Sequence, residues 1–512
     1  MIKRLLFISA IFLSTYTLAQ ETELQQRAES LASGEVFCNA SVGIKAITGK
    51  GETIADFNGN KLLIPASNMK LISTGTALVG LGKDFRYSTE IAHDGIIQDG
   101  VLKGNLYIIG NGDPLTGSKD SIATPIEKLF AQWEACMREA GITSIEGHVV
   151  GDGRWLDGMP EEPSWLWNDI GTYYGTGLAG LNFHENMISF NVSVQTTQLD
   201  TSVKIEQQYP STSWMTIREN CKVGEKGTGD QLYMYTSELA PIAEIRGTYG
   251  IDRGRKTVDF SNKFPEYTCA VYFKNYLEAK GITCTSGAVD FRLQNHWQPF
   301  LETSYGTSQT GDSLKVIGST FSPALNRIAF KTNHESNNLL AEALFRTLGK
   351  ATCGDSSYEP SQAACGEVLK ELVGDSYKQV RIQDGSGLSR QNLISADFMC
   401  HFLQAMMDSE CFEEFLHSLP IPGGKGTLSY NMSGYSKELR SRFRVKSGSM
   451  SGVRCYSGYI LPADYTFVPG EEIPQEVKER TVVFSIMTNN CTAASWKVRP
   501  ALDKFMAELA GF

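Results

Sequence analysis

The sequence predicts an α+β protein, an antiparallel sheet flanked by helices and interrupted by a large β-rich insertion. Three observations predict it. Segments that alternate like half-buried strands occur near both ends of the chain, and helical stripes lie next to each group. Between them, from about Phe85 to Phe300, the texture changes to short alternating segments rich in glycine and tryptophan. A sheet assembled from both ends, with the middle projecting from it, accommodates all three. The 512 residues are too many for one compact domain and enough for two or three.

The elements follow in order. Residues 21–33 read as a helix, with Leu24 and Leu31 spaced at seven. Residues 40–47 alternate as a strand, Gly49-Lys50-Gly51 turns the chain, and 53–57 return as its partner. Pro65 stands where a helix begins, and Leu71, Ile72, Ala77, Leu78 and Leu81 continue its apolar stripe to Gly82. The middle region holds one clear helix, 126–140. Helices return over 336–349, 361–373 and 396–407. Strands follow over 444–447, 453–461 and 481–487, and an amphipathic helix over 493–509 closes the chain.

The first residues stand apart. Met1-Ile2-Lys3-Arg4 is basic, Leu5 to Leu13 is apolar, and Thr17-Leu18-Ala19 offers small residues at the positions a signal peptidase reads. Residues 1–19 are therefore expected to be a cleaved secretory signal. The run is too short to span a bilayer, and no other is long enough, so no stable membrane span is expected. The expected location is periplasmic or secreted.

Eleven cysteines suit an oxidising compartment. Three pairings suggest themselves from the sequence: Cys353 with Cys365, Cys400 with Cys411, and Cys455 with Cys491 across a hairpin. Buried reduced thiols are the alternative. No two cysteines have C-x-x-C spacing, the seven histidines are scattered, and no H-E-x-x-H occurs, so neither a metal nor another cofactor is expected. The formal charge of −10 disfavours nucleic acid and anionic membrane surfaces as partners.

Three short motifs carry the chemistry. In Ser67-Asn68-Met69-Lys70 the amine lies three residues from the hydroxyl on a helix, within reach to take its proton. A second serine and asparagine, Ser336 and Asn338, open another helix in an S-x-N. Lys446-Ser447-Gly448 is a K-[ST]-G on a strand. Taken singly, each fits a bland reading: an N-cap with a solvated lysine, a plain helix cap, a strand running into a turn. Together, in this order and setting, they resemble the motif set of penicillin-binding proteins and related β-lactamases. Gly110-Asn-Gly-Asp-Pro114, Trp165-Leu-Trp-Asn-Asp169 with Tyr173-Tyr174-Gly175, Gly180-Leu-Asn-Phe183 and Asp384-Gly-Ser-Gly-Leu-Ser-Arg390 narrow the resemblance. They resemble the D-alanyl-D-alanine carboxypeptidase/endopeptidase family, the class C low-molecular-mass penicillin-binding proteins.

That resemblance implies a penicillin-binding/β-lactamase-like transpeptidase fold over 20–85 and 310–512, with 86–309 inserted as two nested domains. It implies peptidoglycan peptides as substrate and β-lactam antibiotics as covalent ligands. Ser67 would be the nucleophile and Lys70 its base, with Ser336 relaying a proton and Asn338 positioning the peptide. Lys446 and Ser447 would hold the substrate carboxylate beside Gly448, and the Ser67 and Ser449 N–H groups would form the oxyanion hole. Asp169 would read the free amine of diaminopimelate, and Arg390 would lie near the substrate. K-T-G is commoner than K-S-G in the family, but serine keeps the hydroxyl. Rival readings are a β-lactamase or esterase on the same scaffold and a non-catalytic wall sensor. The sequence leaves the oligomeric state open.

Overall fold

A computed structural model of the chain describes residues 22–198, 200–291, 306–308 and 313–512. The expected signal at 1–19 and the expected domain boundary at 309/310 lie outside the described residues. The chain divides into two compact units. One comprises the N-terminal segment through Lys83 with Leu325–Leu348 and Gln362–Phe512; the other comprises Asp84–Ala324 and Gly349–Ser361.

The first unit is built on one sheet. Among its elements are α1 (22–33), β1 (Ser41–Thr48), β2 (Thr53–Phe57), α2 (Met69–Leu81), α3 (Leu325–Glu335), α4 (Asn338–Cys353, whose end from Gly349 belongs to the other unit), α5 (Ala396–Met407), β3 (Phe443–Met450), β4 (Val453–Ile460), β5 (Val482–Asn489) and α6 (Ser495–Leu509). The strands run antiparallel in the order β3-β4-β5-β1-β2, so strands from both ends of the chain share the sheet, and β3 is an edge. Because side chains alternate between faces, one face supplies Ile44, Ala46, Val445, Tyr456, Phe484 and Ile486 to a core closed by α1 and α6. Fully burying each such aliphatic or Phe side chain contributes about 1.5–3 kcal/mol, which makes this face the main cement of the unit. The opposite face is more polar. Lys446 pairs with Ser457, Ser457 with Ser485 and Ser485 with Lys45, a row of buried or nearly buried polar residues across four strands. It is on this face that the Ser67 turn packs.

The second unit carries a mixed five-stranded sheet in the order Ala288–Asp290, Val149–Asp152, Leu106–Gly110, Ser88–His93, Lys315–Phe321. Helices Ile126–Glu139 and Pro265–Ala279 pack on it through Phe130, Trp133, Phe273 and Leu277. A further core, with Phe190, Met234, Ile245 and Tyr249, lies among two three-stranded sheets. Pro265–Ala279 is a second long helix in a region where the sequence shows only one. Its run of Tyr, Thr, Cys, Val, Tyr and Phe has weak helix propensity and mimics a strand. Among the described residues no helix is long and apolar enough to cross a membrane.

The cysteine pairings require correction: none of the three is joined as a disulfide. Cys400 on α5 donates to Lys45 O at 3.3 Å, whereas Cys411 donates to Leu78 O at 3.3 Å. Cys455 points at Ile64 O while Cys491 points at Val36 O, so the two sit against different cores of the sheet. Cys365 reaches Thr76, and Cys353 reaches Pro360 O. Each of these six thiols has a local acceptor, and burial drives the Cys365, Cys400 and Cys455 thiols further from ionisation.

Candidate active site

The turn that opens α2 is a single 3₁₀ stretch, Ala66–Asn68, and Ala66 is held in the left-handed region at φ 48°. Non-glycine residues rarely occupy that region, so the surroundings must hold it there. Two glycines let them do so. A Cβ on Gly448 of β3 would lie 2.3 Å from Pro65 O, and one on Gly387, itself at φ 84°, would lie 2.0 Å from Ala66 O. Only bare backbone fits at either contact. Asn68 completes the clamp, donating to Ser457 Oγ at 2.7 Å on the polar face of the sheet. The half-buried Ser67 thus projects from a turn pinned by β3, β4 and the 384–390 loop.

Lys70 is fully buried one turn along. Its Nζ lies 3.1 Å from Ser67 Oγ, 2.6 Å from Asn338 Oδ1 and 2.6 Å from Ser386 O. No carboxylate forms an ion pair with it among the described residues. Burial lowers its pKa to about 7, against the pull of Asp384 and Glu342 in the other direction. A neutral amine has two N–H groups and one lone pair. Asn338 Oδ1 and Ser386 O take the two N–H groups, which leaves the lone pair for the Ser67 hydroxyl. The arrangement is that of a base set against a nucleophile.

Ser336 and Asn338 lie at the junction of α3 and α4. The sequence places both at the head of a helix; the structure gives Asn338 as the first residue of α4, with Ser336 outside it at φ 56°. Capping falls instead to Asn337, whose Oδ1 accepts from Leu340 N at 3.1 Å. Ser336 is thereby released to accept from Lys446 Nζ at 2.9 Å. Lys446 also donates to Ser447 O at 2.8 Å. Burial and then the nearby charge of Lys70 hold the Lys446 amine well below its ordinary pKa.

β3 leaves an outer edge. Val445 N–H turns away from β4 and donates to Pro420 O at 2.9 Å. By the alternation of an unbroken antiparallel ladder, Ser447 and Ser449 direct their backbone groups to the same edge. Ser447 Oγ lies 3.4 Å from Thr427 Oγ1, and Ser449 is exposed. The three motifs therefore converge, linked by the Ser67–Lys70–Asn338 and Lys446–Ser336 hydrogen bonds.

Arg390 and Asp169 do not join those bonds. Arg390 reaches the turn after β3, where it donates to Ser451 O at 3.2 Å. Asp169 lies in the second unit, where Tyr174 donates its hydroxyl to Oδ1 at 3.0 Å. Two buried acids near Lys70 were not among the site residues expected from the sequence. Asp384 accepts from Gly387 N at 2.8 Å, Ser389 N at 2.7 Å and Asn392 Nδ2 at 2.7 Å, so it folds the 384–390 loop around itself. Glu342, on α4, accepts from Ser386 N at 2.7 Å. The i, i+4 spacing from Asn338 puts Glu342 on the same helix face, the one signal that would have found it. No cluster of metal-binding side chains occurs among the described residues.

The chain is 25% identical over 514 residues to a D-alanyl-D-alanine carboxypeptidase of Actinomadura sp. (strain R39), covering 96% of this chain and 86% of the other. It is 23% identical over 420 residues to the D-alanyl-D-alanine carboxypeptidase DacB of Haemophilus influenzae, covering 81% of each. The crystal structure of penicillin binding protein 4 (dacB) from the same organism superposes with a TM-score of 0.75 at 21% identity, covering 96% of this chain and 98% of that one. The fold is thus that of a penicillin-binding protein. With the family profile matched across residues 24–509, the chain belongs to the D-Ala-D-Ala carboxypeptidase 3 (S13) family.

Proposed function

We propose that the chain is a serine D-Ala-D-Ala carboxypeptidase and D,D-endopeptidase that works on peptidoglycan stem peptides and crosslinks through an acyl-enzyme on Ser67. The observation that carries this reading is the buried Lys70 amine, 3.1 Å from Ser67 Oγ, with its remaining directions filled by neutral acceptors. Ser67 Oγ attacks the carbonyl carbon of the penultimate D-Ala while its proton passes to Lys70 Nζ. The oxyanion is met by the N–H groups of Ser67 and Ser449. Collapse breaks the C–N bond, and the proton that Lys70 took from Ser67 passes by way of Ser336 to the leaving amine, which leaves Lys70 neutral again. A water then attacks the Ser67 ester and gives its proton to Lys70, which returns it to Ser67 Oγ as the C–O bond breaks and the shortened stem is released. In terminal trimming the leaving amine is free D-Ala; in a crosslink it belongs to the neighbouring stem.

Lys446 and the Ser447 hydroxyl beside Gly448 suit the terminal carboxylate, and an incoming carboxylate favours the charged form of Lys446. Asn338 positions both the peptide and Lys70. Asp169 is assigned to the amine of a diaminopimelate side chain, and Arg390 to the rim of the substrate. Penicillins mimic the same dipeptide and are expected to acylate Ser67 and persist there. Residues 1–19 are assigned as an export signal, with the mature protein periplasmic or secreted, and 86–309 as an accessory insertion.

The test is digestion of purified muropeptides by wild type and Ser67→Ala, with products resolved by mass. Loss of one alanine from pentapeptide stems and splitting of crosslinked dimers are expected of the wild type and neither of the variant. A labelled penicillin is expected to add its full mass to the Ser67 peptide. Digestion that survives in Ser67→Ala would sink the assignment.

A further inference from the structure

We propose that Glu342 is a positioning residue for the general base: by gripping the Gly385–Ser386 backbone from α4, it aims the Ser386 carbonyl at Lys70 and so turns the Lys70 lone pair toward Ser67. This rests on the reading of Lys70 as the base of a Ser67 acyl-enzyme.

The geometry runs in one chain. Glu342 is buried, Oε1 accepts from Ser386 N at 2.7 Å and Oε2 from Gly385 N at 3.3 Å. Ser73, one turn past Lys70 on α2, donates its hydroxyl to Gly385 O from the other side. The same short stretch is thus held at consecutive N–H groups by a carboxylate and at one carbonyl by a hydroxyl. Its next carbonyl, Ser386 O, accepts from Lys70 Nζ at 2.6 Å. Gly385 permits the grip, since a Cβ there would lie 2.5 Å from Phe345 Cβ and 2.7 Å from Ala341 O on α4. One helix therefore supplies both constraints on the amine, Asn338 directly and Glu342 through a peptide unit. With both N–H directions fixed, only the third direction of Nζ remains, and it faces Ser67.

The position also carries charge. The charged groups sharing this interior are Asp384 on the loop, Lys70 on α2, Lys446 on β3 and, one turn further along α4, the buried Arg346. Burial and the neighbouring Asp384 raise the Glu342 carboxyl to about 7, the value to which Lys70 is lowered. The Glu342 charge favours the ammonium form of Lys70, so its removal makes the neutral amine available at lower pH.

The experiment measures the acylation rate of the full chain with a labelled penicillin from pH 5 to 9, in wild type, Glu342→Gln and Ser73→Ala. Glutamine has one acceptor where two N–H groups need one each, so acylation is expected to fall by about ten- to hundred-fold, the scale of a displaced catalytic group. The rising limb of its pH profile is expected to move down by about one unit. Ser73→Ala loosens the same stretch without removing charge. It is expected to slow acylation with the limb unmoved, and it preserves the test if Glu342→Gln does not fold. A Glu342→Gln protein that labels at the wild-type rate with an unshifted limb would overturn the proposal, as would a loss in labelled fraction with no change in rate or limb, the mark of a merely structural glutamate. If Glu342→Gln does not fold, a wild-type rate in Ser73→Ala overturns it. A wild type that takes up no label at Ser67 instead overturns the acyl-enzyme reading itself.

Discussion

Among the buried lysines, Lys263 of the second unit and Lys70 of the first are treated differently by the protein. Lys263, in the second unit, is paired directly with the Glu161 carboxylate and also donates to Gly175 O at 3.0 Å and Thr176 O at 3.1 Å. Lys70, in the first, receives a hydroxyl, an amide oxygen and a carbonyl, all neutral. Burial lowers the pKa of both, but only Lys263 has a contacting anion to oppose it. A charge that serves structure is compensated where it sits. The group proposed to lose and regain a proton is surrounded by acceptors that suit its neutral form, with the carboxylates Glu342 and Asp384 kept one layer back.

The largest effect expected from this contrast is on chemistry. Lys70→Arg retains a cation that cannot give up its proton, so penicillin acylation and release of alanine are expected to fall by about 10³–10⁴-fold. In the wild type, acylation should rise with pH through about 7 as Lys70 becomes neutral. A Lys70→Arg protein acylated at a comparable rate would show that the amine is not the base.

Stability should invert the order. Lys263→Met leaves Glu161 buried without its cation and is expected to cost about 3–5 kcal/mol, read from urea unfolding of the full chain. Lys70→Met removes a desolvated amine whose acceptors are neutral, so it should cost far less. The two should also diverge with pH. The unfolded chain holds a proton on Lys70 up to its ordinary pKa of 10.5, whereas the folded one releases it near 7. Between those values the unfolded state binds more protons, so wild-type stability should climb with pH relative to Lys70→Met. Equal losses for the two methionine variants would erase the distinction.

The sequence made one side of this contrast readable and hid the other. Ser67 and Lys70 are three apart on a stripe that continues for three turns, so their proximity follows from helical geometry alone. The five strands were legible because each alternates and each end group is bounded by turns. Glu342 and Ser386 are 44 residues apart, and nothing local marks a glutamate as buried when its partners are backbone N–H groups. Lys263 was equally silent, since Glu161 is 102 residues away. Ser336 was legible in identity and misplaced in conformation: its neighbour Asn337 caps the helix, and serine and asparagine compete for that position on nearly equal terms.

A smaller effect tests whether the Ser67 turn is as rigid as the base behind it. Gly448→Ala drives a methyl group against Pro65 O at 2.3 Å, where the obstacle is backbone. The expected cost is about 1–3 kcal/mol in urea unfolding, as for overpacking elsewhere, with a larger loss in acylation because the turn carries the proposed nucleophile. Unchanged unfolding would mean that β3 can retreat from the turn.

Ser447→Thr should do least. The hydroxyl is kept, the position lies on an edge strand where a β-branched residue is well tolerated, and the Ser447 hydroxyl meets Thr427 Oγ1 at 3.4 Å. Acylation and stability are expected to stay within about two-fold and 0.5 kcal/mol, the range of benign surface changes. Ser447→Ala, which removes the hydroxyl and little else, should instead weaken carboxylate-bearing substrates while leaving the Lys70 limb of the pH profile in place. In the proposed reaction a hydroxyl at the strand edge binds the ligand, and the buried amine behind it sets the pH at which binding becomes reaction.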